Sequence, residues 1–231
     1  MGRMSFYLYL NLVIIAFPLL FSFSFERRLR FYSKVRPLLI AMFLVGCVFV
    51  GWDVLATHRG HWAFNPSYVD DIRLLGLPLE ELLFFVTVPY SCLFVYESVR
   101  YFLGDDKLFA PSKRLFAGAG VVLAALSVGF LDREYTFLAI LSVGLTLLIV
   151  SAVRIEILAS RAYWTYIAAT LGLFLMFNFI LTSLPVVEYS PLAISSIRVI
   201  TIPLEDFLFN FSMLTSYLAV YLWALGIKNQ K

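Results

Sequence analysis

Two adjacent acidic pairs sit at the head of long apolar runs, in Pro78-Leu79-Glu80-Glu81-Leu82-Leu83-Phe84 and again in Pro203-Leu204-Glu205-Asp206-Phe207-Leu208-Phe209. A charge held in hydrocarbon costs about 2.5–3.5 kcal/mol on insertion scales, so an ionisable group that persists there is a functional candidate. Each pair follows a proline suited to a first helical turn, where acidic side chains also answer free N–H groups and the helix dipole. Capping would be served by one carboxyl, whereas here there are two, twice over. Neighbouring helical positions lie about 100° apart, so one carboxyl can face a bundle interior while the other bonds an adjacent helix. Asp53, beside Trp52, is either a further candidate or a simple interfacial carboxylate. The segment after it, His58-Arg59-Gly60-His61-Trp62-Ala63-Phe64-Asn65-Pro66, is too aromatic for a plain solvent loop, though its rings would also suit an interfacial belt. Phe84 and Phe209 stand among many rings in the two acid-headed runs. Most such rings serve packing, but in a dry pocket their faces stabilise a carbocation by about 2 kcal/mol or more. A buried carboxylic acid with aromatic walls is the equipment for proton-initiated closure of a polyene.

The elements that must hold these residues are membrane spans. Of 231 residues, 61% are hydrophobic and 14% charged, and the mean hydropathy is +0.89; soluble domains run near 45–50% and 25%. The apolar residues come in blocks of about 20, the length a helix needs to cross the hydrocarbon. Spans are expected near 5–25, 37–57, 78–102, 115–131, 134–153, 163–184 and 203–226. The fourth is short and rich in Gly and Ala, so it is expected to be tilted, closely packed or partly re-entrant. The first block, Phe6 to Phe25, is too long for the apolar core of a cleaved leader and reads as a span.

The chain also repeats itself at an offset of 125 residues. Besides the two acidic motifs, Arg36 meets Arg161, Asp53 meets Asn178, Thr57 meets Thr182, Arg73 meets Arg198 and Tyr96 meets Tyr221. Four spans separate equivalent helices, so the units point the same way and are related by a pseudo-two-fold axis along the membrane normal. The expected architecture is an all-α membrane protein of about seven transmembrane helices: a three-helix unit over 1–103, a connecting helix over 104–131, and a second three-helix unit over 132–231. With seven spans, one side of the membrane receives Arg27, Arg28, Arg30, Lys34, Arg36, Lys107, Lys113, Arg114, Arg154, Arg161, Lys228 and Lys231, and the other far fewer cations. Lys and Arg accumulate on the cytoplasmic side, so the C-terminus is expected inside, the N-terminus outside, and the protein in the cell membrane.

Several chemistries lack their equipment. There is no dinucleotide or phosphate-binding glycine loop and no nucleophile elbow. The last span has no lysine for a retinal Schiff base, and Asp70-Asp71 lacks the further aspartates of a magnesium-diphosphate site. His58 and His61 are too few for a metal, Cys47 and Cys92 sit in apolar blocks where a small hydrophobe suffices, and the cations form no nucleic-acid footprint. No cofactor, metal or nucleic-acid partner is expected.

Trp52-Asp53, Trp62-Ala63-Phe64-Asn65-Pro66 and the doubled Pro-Leu-Glu-Glu/Asp motif together resemble the integral-membrane lycopene cyclases, in the form that fuses two units in one chain. The second unit departs from the pattern, with Phe177-Asn178 for Trp-Asp and no Phe-Asn-Pro loop. The resemblance implies a lycopene β-cyclase, an isomerase of the intramolecular-lyase kind that closes open ψ-ends to β-rings by way of γ-carotene. It implies Glu80, Glu81, Glu205 and Asp206 as acid and base, assisted by Asp53. Trp52, Trp62, Phe64, Asn65, Pro66, Phe84 and Phe209 would then meet the substrate. The implied partners are the carotenoid, the lipid bilayer and other enzymes of the carotenoid pathway. Closure of a C50 carotenoid, an ε- or γ-ring, and a non-catalytic carotenoid-binding protein are the alternatives.

Overall fold

The computed structural model describes residues 4–226; the expected C-terminal cations Lys228 and Lys231 lie outside them. The long helices are α1 (Phe6–Leu29), α2 (Val35–His58), α3 (Leu79–Leu103), α4 (Lys113–Ser127), α5 (Glu134–Val153), α7 (Arg161–Ser183) and α8 (Leu204–Ala224), with a single turn, α6 (Glu156–Ala159), before α7. Helices α2, α3, α5, α7 and α8, and α4 with its following turn to Phe130, are each long and apolar enough to cross a membrane. At 24 residues α1 is long enough as well, rising about 36 Å at 1.5 Å per residue, and its stretch Phe6–Phe21 is apolar. Among the described residues the chain is therefore an all-α bundle with six long apolar spans, to which α1 adds a seventh long helix.

Short strands tie the loops at one end: β1 (Trp62–Phe64), β2 (Arg73–Leu74), β3 (Leu77–Pro78), β4 (Val187–Tyr189), β5 (Arg198–Val199) and β6 (Ile202–Pro203). Strand β2 pairs with β3, and β5 with β6, each hairpin feeding directly into an acid-headed helix. The tight turn of the first hairpin puts Leu75 at φ 57° and Gly76 at φ 87°, the pattern of a two-residue hairpin loop with both central residues left-handed. Strands β1 and β4, which are repeat equivalents, pair antiparallel with each other: Trp62 with Tyr189, Ala63 with Glu188, Phe64 with Val187. Ala63 and Glu188 are themselves 125 residues apart, so the pseudo-two-fold axis passes between them.

The units interlock. Each first helix packs on the third helix of its own unit, α1 on α3 and α5 on α8, while each second helix packs on the third helix of the other unit, α2 on α8 and α7 on α3. Neither unit could bury its third helix alone.

Helix α4 stands outside this exchange and packs on α5. A Cβ at Gly120 would come within 2.8 Å of the Gly144 carbonyl, and one at Gly144 would meet the Gly120 carbonyl equally closely. Paired glycines let the two backbones touch, the usual device where the surroundings are lipid. The closely packed alternative for the fourth span is the one adopted.

The offset of 125 does not extend to the first helices. Ser5 and Asn11 of the first unit hold the places that Thr136 and Ser142 hold in the second, because each pair bonds equivalent groups on α3 and α8. Both equivalences are 131 residues apart, so the second unit is six residues shorter between its first and second helices.

The end of the bundle opposite the strands is basic. There Lys34 lies 2.5 Å from the buried Glu97, which also accepts from the Tyr221 hydroxyl at 2.6 Å. Arg154 donates to the Leu222 carbonyl at 3.0 Å, and Arg161 pairs with Asp106 at 2.8 Å. These bonds fasten the loops between spans.

Candidate active site

The two carboxyls of each acidic pair point to different places. None of the four bonds an N–H of its own helix, so capping is not their use; their hydrogen bonds run to other elements. Glu80 Oε1 accepts the backbone N–H of Asp70 at 2.7 Å and the Ser5 hydroxyl. Glu205 Oε1 does the same in the second unit, accepting the Ser195 N–H at 2.6 Å and the Thr136 hydroxyl at 2.5 Å. These two carboxyls clamp the strand-bearing loop to the first helix of each unit. In both, the remaining oxygen Oε2 is buried without a hydrogen-bond partner.

The second member of each pair, Glu81 and Asp206, turns into a cavity of about 350 Å³. Asp53 joins them there, bringing three carboxyls from both units into one apolar chamber. Each is at most 9% exposed. Glu81 Oε2 accepts the Tyr7 hydroxyl at 2.6 Å. Asp53 Oδ1 accepts the Trp62 indole N–H at 2.8 Å and lies 3.5 Å from the Thr57 hydroxyl, its Oδ2 is buried and receives no N–H or hydroxyl among the described residues, and its carboxyl pairs with that of Glu81. Glu81 and Asp53 are close enough to feel each other's charge, and Glu81 also feels Asp206.

Asp206 has a fuller set of donors. Its Oδ1 accepts the Tyr135 hydroxyl at 2.7 Å, and its Oδ2 accepts the Tyr189 hydroxyl at 2.7 Å and the Asn178 amide at 2.8 Å. Burial first, and then the neighbouring Asp206 charge, hold the Tyr189 phenol well above its ordinary range, so it remains a donor. Three neutral donors fix Asp206 as an oriented acceptor.

The walls are aromatic. Phe64, Phe84, Phe177 and Phe209 line the chamber with Trp62, Tyr135 and Tyr189. Trp62 meets Tyr135 edge-on at 4.9 Å between ring centres, and Tyr135 stacks on Tyr189 at 6.1 Å. Along β1 and β4 the alternation of a strand aims Trp62, Phe64, Val187 and Tyr189 inward and leaves Ala63 and Glu188 outside, so the ladder closes the end of the chamber.

Of the expected site residues, Asp53, Glu81, Asp206, Trp62, Phe64, Phe84 and Phe209 thus meet around one volume. Glu80 and Glu205 face loops. Trp52 lies just behind the wall, 5.0 Å from Phe209. Asn65 and Pro66 form the loop beyond β1: Asn65 Oδ1 accepts the Ser67 N–H at 3.0 Å, its amide reaches Glu188 at 3.2 Å, and Pro66 is exposed. Ser190-Pro191 is the second unit's counterpart of this turn, with the Ser190 hydroxyl accepting the Leu192 N–H. His61 is buried 2.7 Å from Glu134, no group of three metal-ligating side chains occurs among the described residues, and Cys92 lines the chamber as a free thiol. Sequence reasoning did not find Tyr7, Tyr135 or Tyr189. Tyr189 had a signal, its offset of 125 from Phe64; Tyr7 and Tyr135 had none, because they are 128 residues apart and hold non-equivalent places on their helices.

Neither the curated proteins nor the solved structures contain a match to the chain. A family model does match, and it does so twice: the one described as lycopene cyclase covers residues 4–99 and again residues 132–224. The two matched stretches hold every carboxyl and aromatic group of the chamber and leave out α4. The chain belongs to the lycopene cyclase family.

Proposed function

We propose that this carotenoid cyclase is a lycopene β-cyclase, and that Glu81 with Asp53 delivers the proton while Asp206 receives it. The observation that carries the reading is the meeting of three carboxyls, supplied by both units, in one aromatic and largely apolar cavity. Two carboxyls facing each other in such a place do not both ionise, so the pair retains a proton. That proton adds to C2 of the ψ-end and leaves a cation at C1. The C5=C6 bond attacks C1, forming the C1–C6 bond and moving the charge to C5. Loss of the C6 proton then gives the β-ring, whereas loss of a C4 or methyl proton would give an ε- or γ-ring. One proton is taken up and one is released, so the reaction is an isomerisation without oxidant or reductant.

The cation needs opposite charge and ring faces on hand before it forms. Asp206, held by three donors, offers the charge without reorganising, and Phe84, Phe209 and Trp62 offer the faces. A protonated alkene is a very strong acid, so a stabilised carboxylate is base enough. Glu80 and Glu205 act one step removed, by holding the loops that carry the aromatic strands. The basic end of the bundle faces the cytoplasm in this reading, with the carboxyl end and the N-terminus on the outer face of the cell membrane.

The test is expression in cells that accumulate lycopene, followed by chromatography of the pigments. β-Carotene should appear with the native chain and disappear with Glu81→Gln. A product with ε- or γ-ends would overturn the ring assignment, and unchanged lycopene the cyclase reading.

A further inference from the structure

Val13 and Phe17 of α1, and Leu173 and Met176 of α7, line the cavity and are also exposed on the outside of the bundle, at 39%, 55%, 38% and 50%. A side chain can do both only at a mouth. Helix α1 begins at the strand end with Phe6 and α7 finishes there with Ser183, so Val13 and Met176 each lie seven residues in. At 1.5 Å per residue that is about 10 Å below the end of the helix, and Phe17 and Leu173 lie about 15 Å down. The two sides of the mouth are level, and both fall in apolar spans, so the opening faces hydrocarbon. The alternative route from water is closed by the inward rings of β1 and β4.

The rim of the mouth is specially built. Pro18 of α1 has no N–H to give the Ile14 carbonyl; the Ser91 hydroxyl of α3 lies 3.0 Å from that carbonyl and 2.7 Å from the Thr87 carbonyl of its own helix, so its one proton is shared between the two. Both Pro18 and Ser91 line the cavity. The break in the helix ladder therefore falls beside the opening, with its freed acceptor answered from the neighbouring helix.

At about 350 Å³ the chamber is near the small end of ligand pockets, which run about 300–1,000 Å³. It suits one end group of a long linear polyene, not the whole molecule. We propose that the gap between α1 and α7 is a lateral portal: the acyclic end of the substrate slides in from the bilayer, and the rest of the polyene lies in the gap and the surrounding lipid. This rests on the cyclase reading. One chamber with one mouth closes one end per visit, so the monocyclic product has to back out and turn round before the second ring can form.

Portal variants in liposomes loaded with lycopene test the idea. Val13→Trp and Met176→Trp should each lower kcat/KM about tenfold or more. Leu12→Trp and Leu171→Trp, at positions exposed to lipid that do not line the cavity, should stay within about twofold. Because a bulky residue can also disturb folding, Val13→Cys is purified active and then capped with a benzyl thiosulfonate, with Leu12→Cys, which carries the same native thiols, capped alongside; activity should fall further in Val13→Cys than in Leu12→Cys. Equal turnover in portal and control variants, or capping without effect, overturns the portal. Retention of lycopene by purified protein, read from its visible absorption, tests the same point without turnover, since blocked variants should not retain it and equal retention overturns the portal. A native chain that retains lycopene but forms no ring overturns the cyclase reading and leaves the portal standing.

Discussion

The two units build the same frame around different chemistry. In the first, the second helix places Asp53 beside the cavity-facing acid Glu81; in the second, the equivalent position is Asn178, whose amide donates to Asp206. Carboxyl faces carboxyl on one side, and amide serves carboxylate on the other. A symmetric site would offer the substrate the same group twice, yet cyclisation needs a proton donor and a proton acceptor at once. In the proposed mechanism, one side-chain difference, aspartate at 53 against asparagine at 178, separates the two roles. The walls diverge as well. Phe49 and Trp52 of α2 pack onto Phe209 at 5.1 and 5.0 Å, while their counterparts Phe174 and Phe177 on α7 line the open chamber. The volume on the first unit's second helix is plugged with rings where its counterpart on α7 is left empty.

The strongest test of the asymmetry removes each role in turn. Glu81→Gln and Asp206→Asn should each lower ring formation by at least about a hundredfold, the range of a general acid or base, with unchanged protein in the membrane fraction. Asp53→Asn converts the first unit's pair into the second unit's arrangement. It should cost about ten- to a hundredfold, because Glu81 would then have to hold the proton without a facing carboxyl. Equal activity with Asn at position 53 would remove the pair from the mechanism.

Asn178→Asp makes the opposite conversion. Two carboxyls would then share a proton where the base is needed, so activity should fall about tenfold near neutrality and the acid limb of the pH profile should move upward. A pH profile parallel to that of the native chain would sink the role assigned to Asn178. The smallest effect on turnover is expected from Glu80→Gln and Glu205→Gln, which keep an acceptor for the loop N–H groups but put an amide NH2 where the partnerless oxygen lay. Each should stay within a few-fold of native activity and lose about 1–3 kcal/mol of stability, the cost of a buried donor without a partner; thermal melts in detergent would read it. A hundredfold loss of ring formation with an unchanged melt would put these two carboxyls at the chemistry instead.

The sequence carried the frame because membrane spans obey a length rule and duplication leaves a constant offset. Asp53, Glu81 and Asp206 were visible as costly charges in apolar runs, and Asn178 was visible as the partner of Asp53 at 125 residues. What a pair of adjacent acids cannot reveal is which of the two turns inward, since a rotation of about 100° exchanges them. Contacts to Asp70, Ser195, Ser5 and Thr136 decide it, and those partners come from distant loops and helices. Tyr7 and Tyr135 escaped notice for a different reason. The register between the units changes by six residues at the first helices, and the two tyrosines reach equivalent acids from non-equivalent positions. Trp52 lies behind the chamber wall, while Asn65 and Pro66 lie in the loop beyond β1 and do not line the chamber.

The ladder between β1 and β4 is a self-complementary edge, since each strand pairs with its own repeat equivalent about the axis through Ala63 and Glu188. Such an edge is what an isologous dimer uses, and a three-helix unit made as a separate chain could assemble with a second copy through it at a cost in concentration. Tethering the units through α4 makes the same pairing unimolecular, with the partner present at a high effective concentration whatever the expression level. The tether also fixes which halves meet: the copy that carries Asp53 always faces the copy that carries Asn178, so two unlike halves are joined in equal number without having to find each other.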